Sequence, residues 1–144
     1  MTHEDKGKYF KKHPEGSKVD DDLKQEIINQ VKNNNISCKK AEEIAGEVGF
    51  TLEETGKAID ILNINITKCQ LGLFGYGETK KIVQPAKEIT PELKESIRSA
   101  LKEEMLSCAA AWEISGKLNI PRMKVSAACE TLQIKIKPCQ LGAF

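Results

Sequence analysis

Apolar residues recur along this chain with the spacing of a helix. Leu23, Ile27 and Val31 fall at positions i, i+4 and i+8, which places them on one face of a helix. The acids at Asp20–Asp22 precede this stripe and suit the positive N-terminal end of a helix. The pattern therefore predicts a first helix that begins near Asp20 and ends at the polar run Asn33–Asn35.

The same pattern occurs a second time. Residues 36–74 align without a gap with residues 106–144, at a constant offset of 70, and 15 of these 39 positions are identical. The identities include Cys-Gln-Leu-Gly at 69–72 and again at 139–142. Upstream of the aligned block, Leu93, Ile97 and Leu101 repeat the first stripe after Thr90–Pro91, which is a favoured start of a helix. A repeat of this length predicts two small domains with the same order of elements.

Each repeat predicts two further helices and a strand. Ser37 and Ser107 are N-caps for a second helix, and Gly49 or Asn119 tolerates the left-handed backbone that ends it. Thr51 predicts a capping box with the glutamate three residues later, at the start of a third helix that ends near Leu62 or Leu132.

After the third helix the apolar period changes to two. Ile64 and Ile66, like Ile134 and Ile136, alternate with polar residues and predict a short, half-buried strand. The glycine-rich stretch from Gly72 to Gly77 then predicts a turn, with residues 80–83 returning as a second strand.

Helix, helix, tight turn, helix and β-hairpin is the order that resembles the winged helix-turn-helix family. The residues that carry the resemblance are small, turn-forming or apolar at the required places: Ala45, Gly49, Phe50 and Ala58 in the first repeat, and Ser115, Asn119, Ile120, Val125 and Ala128 in the second. Two helices that cross steeply over a short turn need a narrow contact point. The resemblance implies a mainly α fold with short β-hairpin wings, built as two tandem winged-helix-like three-helix domains. We expect a disordered polar tail over 1–19, a first repeat over 20–83, a linker over 84–89 and a second repeat over 90–144.

The two repeats differ in charge. Residues 20–78 carry 6 lysines against 11 acids, whereas residues 80–144 carry 11 basic residues against 7 acids. Phosphates repel an acidic surface, and the third helix of the first repeat carries Glu53, Glu54, Lys57 and Asp60 on its outward side. We therefore expect a protein partner on the first repeat, if it binds anything, and a polyanion on the second.

The resemblance implies a DNA-binding transcription regulator whose third helix in the second repeat lies in the major groove of double-stranded DNA. The residues that this assigns to DNA contact are Arg122, Lys124, Ala127 and Thr131 on the helix, and Lys135 and Lys137 on the strand. Arg122 would read guanine, Lys124 would hold a phosphate or a base, and Lys135 and Lys137 would reach the DNA backbone. The alternative that stays open is a winged helix that binds a protein and no DNA.

Two other features are candidate sites. Cys38, Cys69, Cys108 and Cys139 are paired by the repeat and could form a metal or redox site, although their spacing lacks the usual Cys-x-x-Cys knuckle. The competing interpretation is that they are small buried side chains, as we expect for the unpaired Cys129. Trp112, where the first repeat has a glutamate, is a candidate interface residue between repeats or subunits. The alternative is that its ring is partly sheltered by the first helix of its own repeat.

The remaining expectations are exclusions. No apolar run reaches the roughly 18 residues of a membrane span and no signal peptide is evident, so we expect a cytoplasmic protein with no membrane partner. No nucleophile paired with a base, phosphate-binding loop or catalytic carboxylate pair is present, so we expect neither an enzyme nor a cofactor. Because each repeat is small, we expect the two repeats to pack against each other or against another chain, including in a homodimer.

Overall fold

The computed structural model describes residues 19–77 and 81–143, and this part of the chain is mainly helical. Its elements are α1 Asp21–Gln30, β1 Asn35–Ser37, α2 Cys38–Val48, α3 Leu52–Ile61, β2 Asn65–Thr67, α4 Pro91–Ala100, β3 Met105–Leu106, α5 Cys108–Leu118, α6 Arg122–Leu132 and β4 Lys135–Ile136. The element order of the first repeat recurs in the second. No helix in the described ranges is long and apolar enough to cross a membrane.

Local hydrogen bonds set the helix starts, as the sequence predicts. The Asp20 side chain accepts bonds from the backbone N–H groups of residues 22 and 23 at the start of α1. The hydroxyls of Ser37 and Ser107 cap α2 and α5 in the same way. At the start of α3, Thr51 and Glu54 form the predicted capping box, in which each side chain bonds to the backbone N–H of the other. These bonds satisfy donors that the helix itself leaves unpaired.

The turn between the second and third helices also follows the prediction. Gly49 and Asn119 both adopt the left-handed conformation, with φ of 84° and 55°. The residue after each turn donates its backbone N–H back to the second helix, Phe50 to Ala45 and Ile120 to Ser115. The same backbone turn therefore joins the second and third helices in both repeats.

The strands pair differently from the prediction. β1 pairs with β2 in parallel, with Ile36 opposite Ile66, and β3 pairs with β4 in parallel, with Leu106 opposite Ile136. The predicted antiparallel hairpin wing is wrong in the described residues, because 81–83 form no strand there, while residue 80 lies outside them. The two strands of each sheet are joined through two helices, which is the kind of crossover connection that parallel pairing needs.

The chain divides into two compact units whose limits cross the sequence repeats. The first unit comprises the described residues 19–69 together with Leu141–Ala143, and the second comprises Gln70–Gln140, without 78–80. Each unit thus holds the three helices of one repeat and the Leu-Gly of the Cys-Gln-Leu-Gly from the other. Residues 70–77 and 81–83, expected in the first domain, belong to the second unit. The predicted tail over 1–19 lies outside the described residues except for Val19.

Each unit has its own apolar core on the inner faces of its helices and on its sheet. In the first unit the most deeply buried members include Ile27, Ile36, Ala41, Ile44, Ile59 and Ile66, and in the second they include Leu71, Ile97, Leu106, Ala111, Val125 and Cys129. Four of the first set correspond to members of the second at the offset of 70. The same pattern of burial therefore builds both units.

Candidate nucleic-acid interface

The second unit contains the two helices and the tight turn for which the resemblance implies DNA contact. α5 ends at Asn119, and α6 begins at Arg122. The Ser115 hydroxyl donates to the Ile120 carbonyl at 2.6 Å, so the small residue at the crossing point is also part of the turn. Without a bulky side chain there, the two helices approach closely.

Arg122, the candidate for reading guanine, is engaged within the second unit. Its guanidinium donates to the Gln70 side-chain oxygen at 2.8 Å. It also lies over the Trp112 ring, with Cζ 3.7 Å from the ring centroid. Cation–π stacking of this kind fixes the side chain in one place. Base contact by Arg122 would have to break both interactions.

Trp112, the candidate interface residue, is half-buried, with the Arg122 guanidinium against its ring. Its indole Nε1 is buried and has no hydrogen-bond partner among the described residues. The ring therefore serves as a platform for an internal cation. Gln70, its partner in fixing Arg122, is the second residue of the repeated Cys-Gln-Leu-Gly.

Ala127 and Thr131 face a segment of the same unit. The Ala86 N–H donates to the Ala127 carbonyl at 3.0 Å, and the Thr131 hydroxyl donates to the Ala86 carbonyl at 2.7 Å. Ala86, within the stretch 84–89 that is expected to be a linker, is therefore held against this side of α6. A helix that enters a major groove needs this side for base edges.

The three candidate lysines remain open to solvent. Lys124 at the start of α6, Lys135 on β4 and Lys137 just after it are exposed. None of the three forms an ion pair with a carboxylate in the described part of the chain. By contrast Lys81, which the sequence did not single out, pairs with Glu130 on α6.

The first unit presents different chemistry at the equivalent positions. Glu54 stands where the second repeat has Lys124, and Asn65 and Thr67 stand where it has Lys135 and Lys137. Hydrogen bonds from the backbone and then the hydroxyl of Thr51 hold the pKa of the Glu54 carboxyl below its usual range, so this charge is negative at neutral pH. Asp60, expected on the outward side, is only 3% exposed, and that expectation is corrected.

The repeated Cys-Gln-Leu-Gly has a structural explanation. In the second unit the Ser126 hydroxyl donates to the Leu71 carbonyl at 2.6 Å, and both residues are fully buried. In the first unit the residue equivalent to Ser126 is Gly56, and a Cβ there would lie 2.0 Å from the Leu141 carbonyl oxygen. The leucine backbone of one copy of the motif thus rests on the third helix in each unit. We call these two places the third-helix seats, at Gly56 and at Ser126.

The seats were not predicted from the sequence, although two signals point to them. The first is the identity of four consecutive residues in otherwise divergent repeats. The second is the pair of small residues, Gly56 and Ser126, in the middle of a helix at equivalent positions. Small side chains let another backbone approach a helix closely.

The cysteines form no metal cluster in the described ranges. Cys38, Cys69 and Cys108 are buried, Cys139 is half-buried, and none of the five cysteines forms a disulfide. The described residues contain no group of three or more His, Cys, Asp or Glu side chains arranged to hold a metal ion. Burial, and secondly the charge of Glu130, raises the pKa of the Cys129 thiol to about 12.

Comparison with known proteins adds no further constraint. No family model, no curated protein and no solved structure matches this chain.

Proposed function

We propose that the protein binds nucleic acid, as a DNA-binding regulator, through phosphate contacts made by its second unit. The observation that carries the proposal is that Lys124, Lys135 and Lys137 are exposed and form no ion pair in the described chain. Lysines in this state lose little on meeting a phosphate, because no carboxylate has to be displaced. The winged-helix resemblance supports the same placement, since strand and helix N-terminal residues contact phosphates in that family.

The proposal differs from the sequence expectation in how DNA is read. Arg122 bonds to Gln70 and stacks on Trp112. The Thr131 hydroxyl on α6 donates to the Ala86 carbonyl. Little of α6 is left for base edges, and phosphate contacts carry no direct sequence information. We therefore propose binding that depends on salt strongly and on base sequence weakly.

The expected salt dependence follows from the number of contacts. Each phosphate that a cation neutralises contributes about −0.9 to the slope of log K against log salt on duplex DNA. Three lysines therefore predict a slope of about −2.7. The test is fluorescence anisotropy with a labelled duplex, titrated at several salt concentrations.

The decisive variant is Lys124→Ala with Lys135→Ala and Lys137→Ala. It should weaken binding at low salt and bring the slope close to zero, whereas Arg122→Ala should leave the slope unchanged. A matched control removes three exposed lysines from the first unit, at Lys24, Lys32 and Lys39, and so produces the same change in net charge. Equal losses in the two triple variants, or no retention of duplex by the unchanged protein at low ionic strength, would overturn the proposal.

A protein partner for the first unit is the second candidate function. Its third helix presents exposed Glu53 and Glu54, and α1 carries Ile28 with 45% of its surface exposed. Acidic side chains and an exposed apolar residue on the same unit suit a basic, partly apolar protein surface, and the acids repel phosphates. Under this candidate, Glu53→Lys with Ile28→Ser abolishes partner binding, measured by calorimetry with a lysine-rich amphipathic peptide, and leaves DNA retention unaffected. Unchanged peptide binding in that variant would exclude it.

A further inference from the structure

A cleft of about 570 Å³ opens on the second unit. Its walls come from three parts of that unit: α6 with Glu130, the strand β4, and the segment that carries Leu73 and Phe74. Pockets that hold small molecules typically have volumes of roughly 300–1,000 Å³. The cleft is therefore large enough for a small organic ligand.

The interior of the cleft is largely apolar. Its apolar lining residues are Leu73, Phe74, Ile134, Ile136 and Cys129. Because burial raises the pKa of the Cys129 thiol to about 12, the thiol stays neutral and adds no negative charge. Such a lining favours the hydrocarbon part of a ligand.

The charged lining residues leave a net positive charge. Lys81 forms an ion pair with Glu130, so these two largely cancel. Lys135 and Lys137 also line the cleft, are exposed, and have no carboxylate partner in the part of the chain that the structure describes. Two unpaired ammonium groups beside an apolar interior match a ligand with one carboxylate and an apolar body.

The first repeat lacks these features at the same positions. Asn65 and Thr67 replace the two lysines, and Ile59, a larger side chain, replaces Cys129. The remaining scaffold is the same, since Ile64 and Ile66 match Ile134 and Ile136. Relative to the first repeat, the second therefore has two more positive charges and a smaller side chain at these positions. The fold that both repeats share does not require these differences.

We propose that this cleft binds a small amphipathic monocarboxylate, with its apolar body among the isoleucines and its carboxylate on Lys135 and Lys137. The ligand also competes with nucleic-acid phosphates for the same two lysines, so it is an effector that releases DNA. This second statement rests on the proposed function, whereas ligand binding itself does not.

Calorimetry on the full chain, without DNA, tests the binding step. Octanoate is the probe and octanol is its neutral match. Octanoate should bind at least about tenfold more tightly than octanol, because hydrogen bonds to a charged group contribute that much or more. Lys135→Ala with Lys137→Ala should remove this preference, whereas Lys124→Ala, which changes an exposed lysine outside the cleft, should keep it.

Several outcomes would overturn the proposal. They are equal affinity for octanoate and octanol, no binding of either, or an equal loss in the Lys124→Ala control. A second variant, Ile134→Asp, places a like charge in the cleft and should abolish octanoate binding; unchanged binding would locate the ligand elsewhere. Circular dichroism of each variant confirms that it is folded.

The competition step is measured separately by adding octanoate to the DNA complex. Release of DNA that is absent in the Lys135→Ala, Lys137→Ala variant supports the effector role. If the protein retains no DNA, the proposed function fails while the calorimetric result still decides the ligand site. Binding of octanoate with no effect on retained DNA would reject the competition alone.

Discussion

Replacement of Gly56 by alanine should release the Leu141 segment from the first unit. An added Cβ would lie 2.0 Å from the Leu141 carbonyl oxygen, 2.6 Å from its carbon and 2.7 Å from its Cα. These are backbone atoms, so no side-chain rotation relieves the overlap. The segment has to move away from α3, or the helix has to shift.

The magnitude follows from two opposing terms. Leu141 is 2% exposed, and full burial of a leucine side chain contributes about 1.5–3 kcal/mol. Alanine is better than glycine in a helix by about 0.8–1 kcal/mol, which offsets part of the loss. If the segment is released entirely, Gly56→Ala should destabilise the first unit by roughly 1–2 kcal/mol.

The chain offers a matched control in Gly46→Ala. Gly46 also lies inside a helix, and an added Cβ there meets nothing within 4 Å. This substitution should therefore stabilise the protein, by up to about 1 kcal/mol. Gly116→Ala, with equally open surroundings, should do the same in the second unit.

Urea unfolding followed by far-UV circular dichroism measures the free energy of unfolding of each variant. Hydrogen exchange of the backbone amides of Leu141–Ala143 reports release of the segment directly. Gly56→Ala should speed this exchange, and Gly46→Ala should leave it unchanged. If Gly56→Ala is as stable as Gly46→Ala and the exchange is unaltered, the seat at Gly56 does not exist.

Three further predictions concern single side chains. Bonds to Thr51 lower the pKa of Glu54, so the capping box contributes stability above about pH 4.5, the ordinary value of this pKa. That stability is lost as the pH falls through the lowered pKa of the folded state. Glu54→Gln should flatten that part of a plot of the free energy of unfolding against pH, and an unchanged slope would contradict this. Iodoacetamide at pH 8 should modify half-buried Cys139 well before Cys129, because burial and a pKa of about 12 keep the Cys129 thiol unreactive. Mass spectrometry of the labelled peptides gives the order of labelling. Early labelling of Cys129 would show that its thiol is not protected. Ser126→Ala removes the donor to a buried carbonyl and should cost about 1–3 kcal/mol in urea unfolding, whereas a change below a few tenths would show that the hydroxyl is dispensable.

Features decided by neighbours along the chain were predictable. The capping box at Thr51, the left-handed turn at Asn119 and the apolar stripe of α1 all depend on residues within one or two helical turns. The repeat added confirmation, because two divergent copies kept the same signals. Helix starts, helix order and most core positions therefore follow from the sequence.

Features decided by distant residues were not predictable. The alternation at Ile64 and Ile66 predicted a strand but left its partner open, and the chain pairs it with β1 in parallel. Arg122 has the residue type and the position of a base reader, yet its hydrogen bond to Gln70 depends on a residue far away in the sequence.

The Cys-Gln-Leu-Gly repeat shows the same limit. The sequence shows that the motif is repeated, but the residues in and around the motif do not indicate which residues it contacts. Only the tertiary structure places Leu71 on Ser126 and Leu141 against Gly56. The physical reason is that caps and turns are set by short-range hydrogen bonds, whereas partners are chosen by the apolar area and the buried polar groups that distant segments satisfy together.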